Sequence, residues 1–153
     1  MITLTKSIAI AASAEAIFDV LDDPASAPEI WRNLSNVRNV RMQPNGGKSF
    51  EFDYTMAGIR VKGSSTALEL VRPSRIVTRT TGGVTSTMTW MLEPSADGSE
   101  TNVTFEAKYE VPVPLVGRLA EIIIAKINET DIVYVLNGLK LKLEVRSRRA
   151  ERN

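Results

Sequence analysis

The alternation of hydrophobic and polar residues predicts a β-strand at the beginning of the chain, followed by two short helices. Residues 2–10, ITLTKSIAI, alternate apolar and polar side chains, which is typical of a strand with one buried face. Ser13 is a favourable N-cap for a helix over residues 14–21, and the Asp-Asp-Pro sequence at 22–24 would end that helix. A second short helix is predicted over residues 25–34, where apolar side chains recur three positions apart.

Between residues 35 and 110 the pattern predicts six strands separated by glycine- and proline-containing turns. The third of these strands contains Gly63-Ser64-Ser65, which predicts a bulge or a bend. Leu68 and Leu70 in the same strand are predicted to point inward. Aromatic residues are frequent on the predicted inner faces of the six strands. Residues on these predicted inner faces include Phe50, Phe52, Tyr54, Met88, Trp90, Phe105 and Tyr109.

The last long apolar stretch, residues 115–146, is the one segment long enough to form a major helix. At 100° per residue its apolar side chains fall into two arcs. The first, which we call the inward arc, should cover the sheet and contains Ala125, Asn128, Ile132, Val135, Leu136, Leu139 and Leu143. The second, which we call the outer arc, contains Leu115, Leu119, Ile122, Ile123, Val133 and Tyr134. Glycine at position 138 costs about 1 kcal/mol relative to alanine inside a helix, so we expect another element to approach closely there.

The order of the elements indicates the fold class. Strands joined by short turns pair antiparallel, and their apolar faces need a cover that the long helix can supply. The sequence therefore predicts an α+β fold with an antiparallel sheet of six or seven strands, a long C-terminal helix, and two short helices after the first strand. We expect a single domain over residues 1–147 and a basic tail at residues 148–153.

Composition narrows the classes of function. The chain of 153 residues has a net charge of +1, which gives no general attraction to nucleic acid or membranes. It contains no cysteine and no histidine. Disulfides, thiolate chemistry and the commonest metal ligand are therefore excluded. We predict no metal site, no cofactor and no nucleic-acid partner.

The charge is unevenly distributed, since residues 140–153 alone carry a net charge of +4. Cations there suit the negative end of a helix dipole, and the alternative is contact with an anionic surface or an acidic partner. No run of apolar residues is long enough to span a membrane. The first residues lack the basic segment and long apolar run of a signal peptide, so we expect a cytoplasmic location.

Three stretches resemble the START-like, helix-grip superfamily, which includes polyketide cyclase/dehydrase-like and coenzyme-Q-binding-like lipid transport proteins. Residues 7–31 contain a strand, a small-residue cap, an AxxIFDVL helix, a DP pair and a Trp. Residues 109–117 read YEVPVPLVG at the beginning of the long helix, and residues 136–144 read LNGLKLKLE near its end. The resemblance implies a sheet wrapped around the long helix, with a deep apolar cavity between them.

Members of this superfamily differ in chemistry, so the resemblance implies a fold more specifically than a function. Some members are aromatase/cyclases, others carry lipids or quinones, and others bind hormones. No catalytic motif of the superfamily can be placed on this chain, and we assign no catalytic residue.

The candidate site is a hydrophobic ligand cavity between the sheet and the C-terminal helix. Its tyrosines and Trp90 would offer polar contacts, and Asn128 would be the polar group of the inward arc. Each of these side chains has the alternative of packing in a solid core or bonding a neighbouring backbone group. The predicted lining residues are Trp31, Phe50, Phe52, Tyr54, Met88, Trp90, Phe105, Tyr109, Asn128, Ile132 and Leu136.

Three functions fit the sequence. The first is binding or transport of a hydrophobic small molecule, such as a lipid, a quinone or a polyketide-like compound. The second is a polyketide cyclase/dehydratase-type enzyme, in which Tyr54, Tyr109 or an inward Arg or carboxylate would do the acid/base work. The third is a protein- or membrane-interaction module. In the third case the outer-arc residues would contact a second protomer or a membrane surface, the contact residues being Leu115, Leu119, Ile122 and Ile123.

Overall fold

The computed structural model describes residues 2–56, 58–82, 85–110 and 118–152. Within these ranges the side chains at positions 2, 56, 59, 118–129, 147 and 150–152 lie outside the description. The predicted residues Asn128, Leu115, Leu119, Ile122 and Ile123 therefore lie outside the described residues or side chains. Their predicted roles stay predictions.

Seven strands form one antiparallel sheet in the order β1-β7-β6-β5-β4-β3-β2. The helices are α1 (Ala14–Asp22), α2 (Ala27–Ile30) and α3 (Arg118–Arg152), and a 3₁₀ turn spans Pro24–Ser26. This arrangement confirms the predicted fold class. The strands are β1 (Ile2–Ile10), β2 (Leu34–Met42), β3 (Lys48–Met56), β4 (Ile59–Val71), β5 (Arg75–Thr81), β6 (Thr85–Pro94) and β7 (Thr101–Glu110).

The two helices after β1 begin and end for local reasons. The Ser13 side chain accepts a hydrogen bond from the Ala16 backbone N–H at 3.2 Å, so it caps α1 as predicted. The second helix is shorter than the predicted span of residues 25–34. Leu34 pairs with Tyr54 in the β2–β3 ladder, and this pairing draws the end of the predicted helix into the sheet.

The register of β4 corrects two predictions. The bulge is not at residues 63–65, because the pairing with β3 is continuous through those residues. It lies between Ala67 and Glu69, where the pairing with β5 shifts by one residue. The extra residue reverses the alternation. Ala67 therefore points inward, and Leu68, predicted to be inward, is 51% exposed.

Gly63 lies where two other groups leave no room for a side chain. An added Cβ would be 2.7 Å from the Phe52 ring and 2.9 Å from the Thr81 carbonyl oxygen. The Phe52 ring can therefore lie across the β4 backbone. Glycine at this position is required by close approach rather than by a bulge.

Helix α3 covers the sheet with the inward arc, as predicted. Among the described side chains of this arc, all five are buried: Ile132, Val135, Leu136, Leu139 and Leu143. Val133 and Tyr134 of the outer arc are exposed. The helix continues to Arg152, so residues 148–152 of the predicted tail extend it. The expectation for Gly138 finds no support among the described residues, since none of them lies within 4 Å of a Cβ built there.

Polar contacts attach the end of α3 to the end of β1. Glu144 accepts hydrogen bonds from the Lys140 ammonium group at 2.8 Å and from the Ala11 backbone N–H at 3.3 Å. Lys140 also donates to the Ala9 carbonyl oxygen at 2.9 Å. We call these three contacts the α3 staple. It fixes the C-terminal half of the helix against the edge of the sheet.

The apolar interior is divided along the sheet. On the β1, β7 and β6 side, α1 and α3 fill the space with a continuous packed core. Fully buried Phe105, Val103 and Ile10 lie at its centre. On the side of β3, β4 and β5, a cavity remains over the inner face of the sheet.

Candidate functional site

The cavity has a volume of about 160 Å³ and lies between the inner face of the sheet and the segment containing α1 and α2. An engineered cavity of about 150 Å³ in another protein binds benzene, so this space admits a single ring or a short chain. Six strands, β2 to β7, contribute to its wall. Their lining residues are Leu34, Lys48, Phe50, Phe52, Tyr54, Val61, Ser65, Ala67, Ile76, Thr78, Thr80, Ser86, Met88, Trp90 and Tyr109.

The helical side of the cavity comes from α1, the 3₁₀ turn and α2. These elements direct a mainly apolar surface toward the sheet, because α1 buries one face and α2 ends at the buried Ile30. Trp31 directly follows α2 and closes this wall. The residues that line this side are Val20, Leu21, Asp22, Asp23, Pro24, Ala27, Ile30 and Trp31.

The structure places seven of the predicted residues on the cavity wall: Trp31, Phe50, Phe52, Tyr54, Met88, Trp90 and Tyr109. Phe105, Ile132 and Leu136 are not on this wall, which corrects their predicted position. They are buried in the packed core. For Phe105 the reason is that the cavity-lining Trp90 packs against it. The centroids of the Trp90 and Phe105 rings are 4.4 Å apart. Trp31 contacts Phe105 edge-on at 5.9 Å.

One end of the cavity is polar, because the Asp131 carboxylate of α3 lies directly behind Tyr54. The Tyr54 hydroxyl donates a hydrogen bond of 2.6 Å to Asp131 Oδ2. The Arg32 guanidinium lies 3.5 Å from Asp131 Oδ1, on the other side of the carboxylate. Arg32 also stacks on the Tyr134 ring, 4.8 Å from its centroid. Asp131 is only 5% exposed, so these contacts are what make its burial tolerable.

Both tyrosines at this end are held in the protonated form. Burial raises the pKa of Tyr54, and the hydrogen bond to Asp131 and its negative charge raise this pKa further. Burial also raises the pKa of Tyr109, again with a contribution from the charge of Asp131. Each phenol is therefore a hydrogen-bond donor near neutral pH and a poor base.

Charged residues surround the opposite end of the cavity, which we call the mouth. Asp22, Asp23 and Lys48 contribute to the wall there. The Lys48 ammonium group donates to the Asp22 carbonyl oxygen at 3.3 Å and lies 3.7 Å from the Asp22 carboxylate. Arg72 bridges Asp19 at 2.5 Å and Asp22 at 3.6 Å, and its guanidinium lies 4.3 Å from the centre of the Phe18 ring. Both of these cations are thus engaged with acidic groups.

Sequence reasoning missed Asp131 and the charged mouth. A signal for Asp131 was present, since it lies one helical turn before Val135, which belongs to the inward arc. The hydroxyl-bearing residues Ser65, Thr78 and Thr80 on the wall were also missed, because the face of β4 and β5 that points inward depends on strand register. Ser86 shares the predicted strand face of Met88 and Trp90 and lies on the wall with them.

Solved structures confirm the architecture. The Zhui aromatase/cyclase from Streptomyces sp. R1128 superimposes with a TM-score of 0.81 at 19% identity, covering 97% of both chains. A protein from Thermus thermophilus gives 0.80 at 17% identity, covering 95% of this chain and 99% of the other. A START superfamily protein from Mycobacterium smegmatis gives 0.74 at 16% identity, covering 93% and 97%. At these identities the likeness shows the shared fold.

The sequence itself is matched at the level of a family. A comparison with curated protein sequences gives no match. No helix in the described part of the chain has the length and apolar character needed to cross a membrane. Residues 1–144 match the model of a family described as polyketide cyclase / dehydrase and lipid transport, and the chain belongs to that family.

Proposed function

We propose that this protein binds a hydrophobic small molecule in the cavity between the sheet and the segment containing α1 and α2. The observation that carries the proposal is the space of about 160 Å³ whose described wall includes six aromatic side chains. Protein interiors are close-packed and leave few voids larger than a water molecule, so ordinary core packing does not produce this space. A quinone or polyketide-like ring, or part of a lipid chain, fits both its size and its apolar wall.

The two tryptophans provide a direct test, since the chain contains two and both line the cavity. A ligand that enters should change their fluorescence in a saturable way. Native mass spectrometry of gently purified protein, followed by organic extraction, would identify a co-purified ligand. We expect a bound species that is released by the solvent.

Ligand binding by a variant that fills the cavity can be compared with binding by a matched variant outside it. Ala67 is on the wall, whereas Thr66, the preceding residue in β4, is not among the lining residues. We expect Ala67→Met to weaken ligand binding by about tenfold or more, because the added atoms occupy the ligand volume. Thr66→Met should bind as the wild type does. Equal binding by both variants, in proteins that remain folded, would contradict the proposed site.

A second candidate function, an enzyme of the polyketide cyclase/dehydratase type, is favoured by one observation. A buried carboxylate, Asp131, is hydrogen-bonded to a phenol that lines the cavity. Such a pair can orient a proton donor toward a substrate oxygen. The test is to incubate the protein with a cyclisable polyketide mimic and to measure the formation of the cyclised product. Turnover by the wild type that Tyr54→Phe abolishes supports the enzyme, and binding without conversion supports the carrier.

A further inference from the structure

The polar end of the cavity contains two tyrosine hydroxyls with different partners. Tyr54 uses its proton in the 2.6 Å bond to Asp131. Tyr109 is 5% exposed and lines the same cavity, and its hydroxyl makes no hydrogen bond to the residues that the structure describes. No buried side-chain oxygen or nitrogen among the described residues lacks a partner, so the Tyr109 hydroxyl keeps accessible surface in the cavity, where a ligand acceptor can bind it. Tyr109 is therefore a donor at this end that can bind a carbonyl or ether oxygen.

The ion pair of Asp131 and Arg32 at this end is oriented relative to the cavity. Asp131 faces the cavity side through Tyr54, while its ion-pair partner Arg32 lies on the far side of the carboxylate and is 45% exposed at its side chain. Neither Arg32 nor Asp131 is among the lining residues, but Asp131 is hydrogen-bonded to the lining residue Tyr54, so the pair turns its negative member toward the cavity. Burial raises the pKa of both tyrosines, and the charge of Asp131 raises it further.

Among the described residues that line the mouth, no cation is free to pair with an anionic ligand. Lys48 is the single cation among the described lining residues, and it is engaged with Asp22. Asp22 and Asp23 add two carboxylates to the same end of the wall. A ligand carboxylate or phosphate would therefore lose its hydration without gaining a cationic partner.

We propose that Tyr109 and Asp131 select an uncharged ligand with a hydrogen-bond acceptor, and that Asp131 rejects anionic ligands of the same shape. Tyr109 donates to the acceptor oxygen and fixes the orientation of the ring. Asp131 accepts the hydrogen bond of the Tyr54 hydroxyl, and its negative charge repels anionic ligands. This inference rests on the proposed binding function and adds the charge and polarity of the ligand to it. It excludes free fatty acids and acyl phosphates as the ligands of this site.

Four probes of similar size test the inference on the wild-type protein by tryptophan fluorescence titration at pH 7.5. They are acetophenone, ethylbenzene, benzoate and benzylammonium. We expect acetophenone to bind about fivefold more tightly than ethylbenzene, which has no acceptor. Benzoate should bind at least about tenfold more weakly than acetophenone. Benzylammonium should bind more tightly than benzoate, since desolvation opposes both ions but Asp131 repels only the anion.

Two variants assign the roles to residues. Tyr109→Phe should lower the affinity for acetophenone about fivefold and leave ethylbenzene unchanged. Asp131→Asn keeps an acceptor for Tyr54 but removes the charge, so benzoate should gain about tenfold relative to acetophenone. Tyr134→Phe is the matched control, because Tyr134 is exposed and not on the cavity wall. It should leave all four affinities unchanged.

The outcomes separate this inference from the proposed function. If acetophenone binds but benzoate binds equally well, or Tyr109→Phe binds acetophenone undiminished, the selectivity is wrong and the binding function stands. If none of the four probes binds, both are wrong. Should Asp131→Asn fail to fold, the order of benzoate and benzylammonium on the wild type decides the role of the charge.

Discussion

Asp131 is the residue whose environment departs furthest from expectation for an acidic side chain. Carboxylates are rarely buried without compensation, because the cost of desolvation is several kcal/mol. Here a neutral donor, Tyr54, and a cation, Arg32, occupy the two carboxylate oxygens. The three residues come from α3, β3 and the segment after α2. The cluster therefore both holds the helix to the sheet and sets the polarity of the cavity.

Removing the Tyr54 hydroxyl should destabilise the folded protein, because Asp131 is buried. Tyr54→Phe leaves one oxygen of a buried carboxylate without its donor, so we expect a loss of about 1–3 kcal/mol in the free energy of unfolding. Urea denaturation measures it. Tyr134→Phe is the control, since it keeps the ring beneath Arg32 and should change stability by less than about 0.5 kcal/mol. Equal stability of the two variants would contradict the role of the hydrogen bond.

At the scale of elements, α3 is secured by its inward arc and by the α3 staple. The inward arc packs against the sheet, and Glu144 and Lys140 connect the helix to the end of β1. Around Gly138, by contrast, no described residue comes within 4 Å of a Cβ built on the helix. We therefore expect a substitution at Gly138 to raise the free energy of unfolding and a substitution at the crowded Gly63 to lower it.

Two glycine-to-alanine substitutions test this contrast. Gly138→Ala adds a methyl group in open space within a helix, so we expect a gain of about 1 kcal/mol in the free energy of unfolding. Gly63→Ala forces its Cβ against the Phe52 ring and the Thr81 carbonyl oxygen, so we expect a loss of about 1–3 kcal/mol. Thermal and urea unfolding measure both. A loss at Gly138 would mean that a partner element covers this face.

The α3 staple predicts a pH dependence. The hydrogen bond from Lys140 lowers the pKa of Glu144 below its ordinary value of 4.5, with help from the Ala11 N–H. A lowered pKa means that the stabilisation is complete above about 4.5 and is lost as pH falls through the folded-state value. Glu144→Gln should therefore be less stable than the wild type at pH 7, and the difference should narrow below pH 4.5.

Glu100→Gln is the control for this pH series, because Glu100 is exposed in the loop before β7. Its unfolding midpoint should follow that of the wild type at each pH. A difference for Glu144→Gln that stays constant from pH 7 to pH 3.5 would show that packing, and not charge, fixes the helix end.

At the scale of the whole molecule, the packed core and the cavity lie side by side on one sheet and share residues. The core is packed by α1 and α3 over β1, β7 and β6. The cavity lies over β3, β4 and β5 and extends to β6 and β7, where Trp90 and Tyr109 belong to both. Because a single core joins α1, the sheet and α3, we expect one cooperative unfolding transition.

Truncation tests where this cooperative unit ends. A chain ending at Ser147 loses exposed residues such as Arg148 and Arg149, so its unfolding free energy should change by less than about 0.5 kcal/mol. A chain ending at Lys142 also loses Leu143, which is 2% exposed, and we expect a loss of about 2–5 kcal/mol. Circular dichroism during urea unfolding measures both. A large loss in the first truncation would show that the tail belongs to the folded domain.

Periodicity was sufficient to predict the elements and the inner faces of most strands, because alternation and helical spacing are local properties. The buried residues of β7 and the described inward arc of α3 are where their spacing predicts them. Prediction failed where one residue changes the phase of a strand, as at Leu68, and where pairing overrides helix propensity, as at Leu34.

The sequence by itself determined the order of elements, the fold class and an aromatic inner surface, since each follows from the chemistry of neighbouring positions. Only the tertiary structure decided that Phe105 completes the core while Trp90 and Tyr109 reach the cavity. It also decided that Asp131 meets Tyr54, 77 positions away along the chain. Such contacts depend on how the sheet curves and where α3 lies across it, and these depend on the packing of all the elements together.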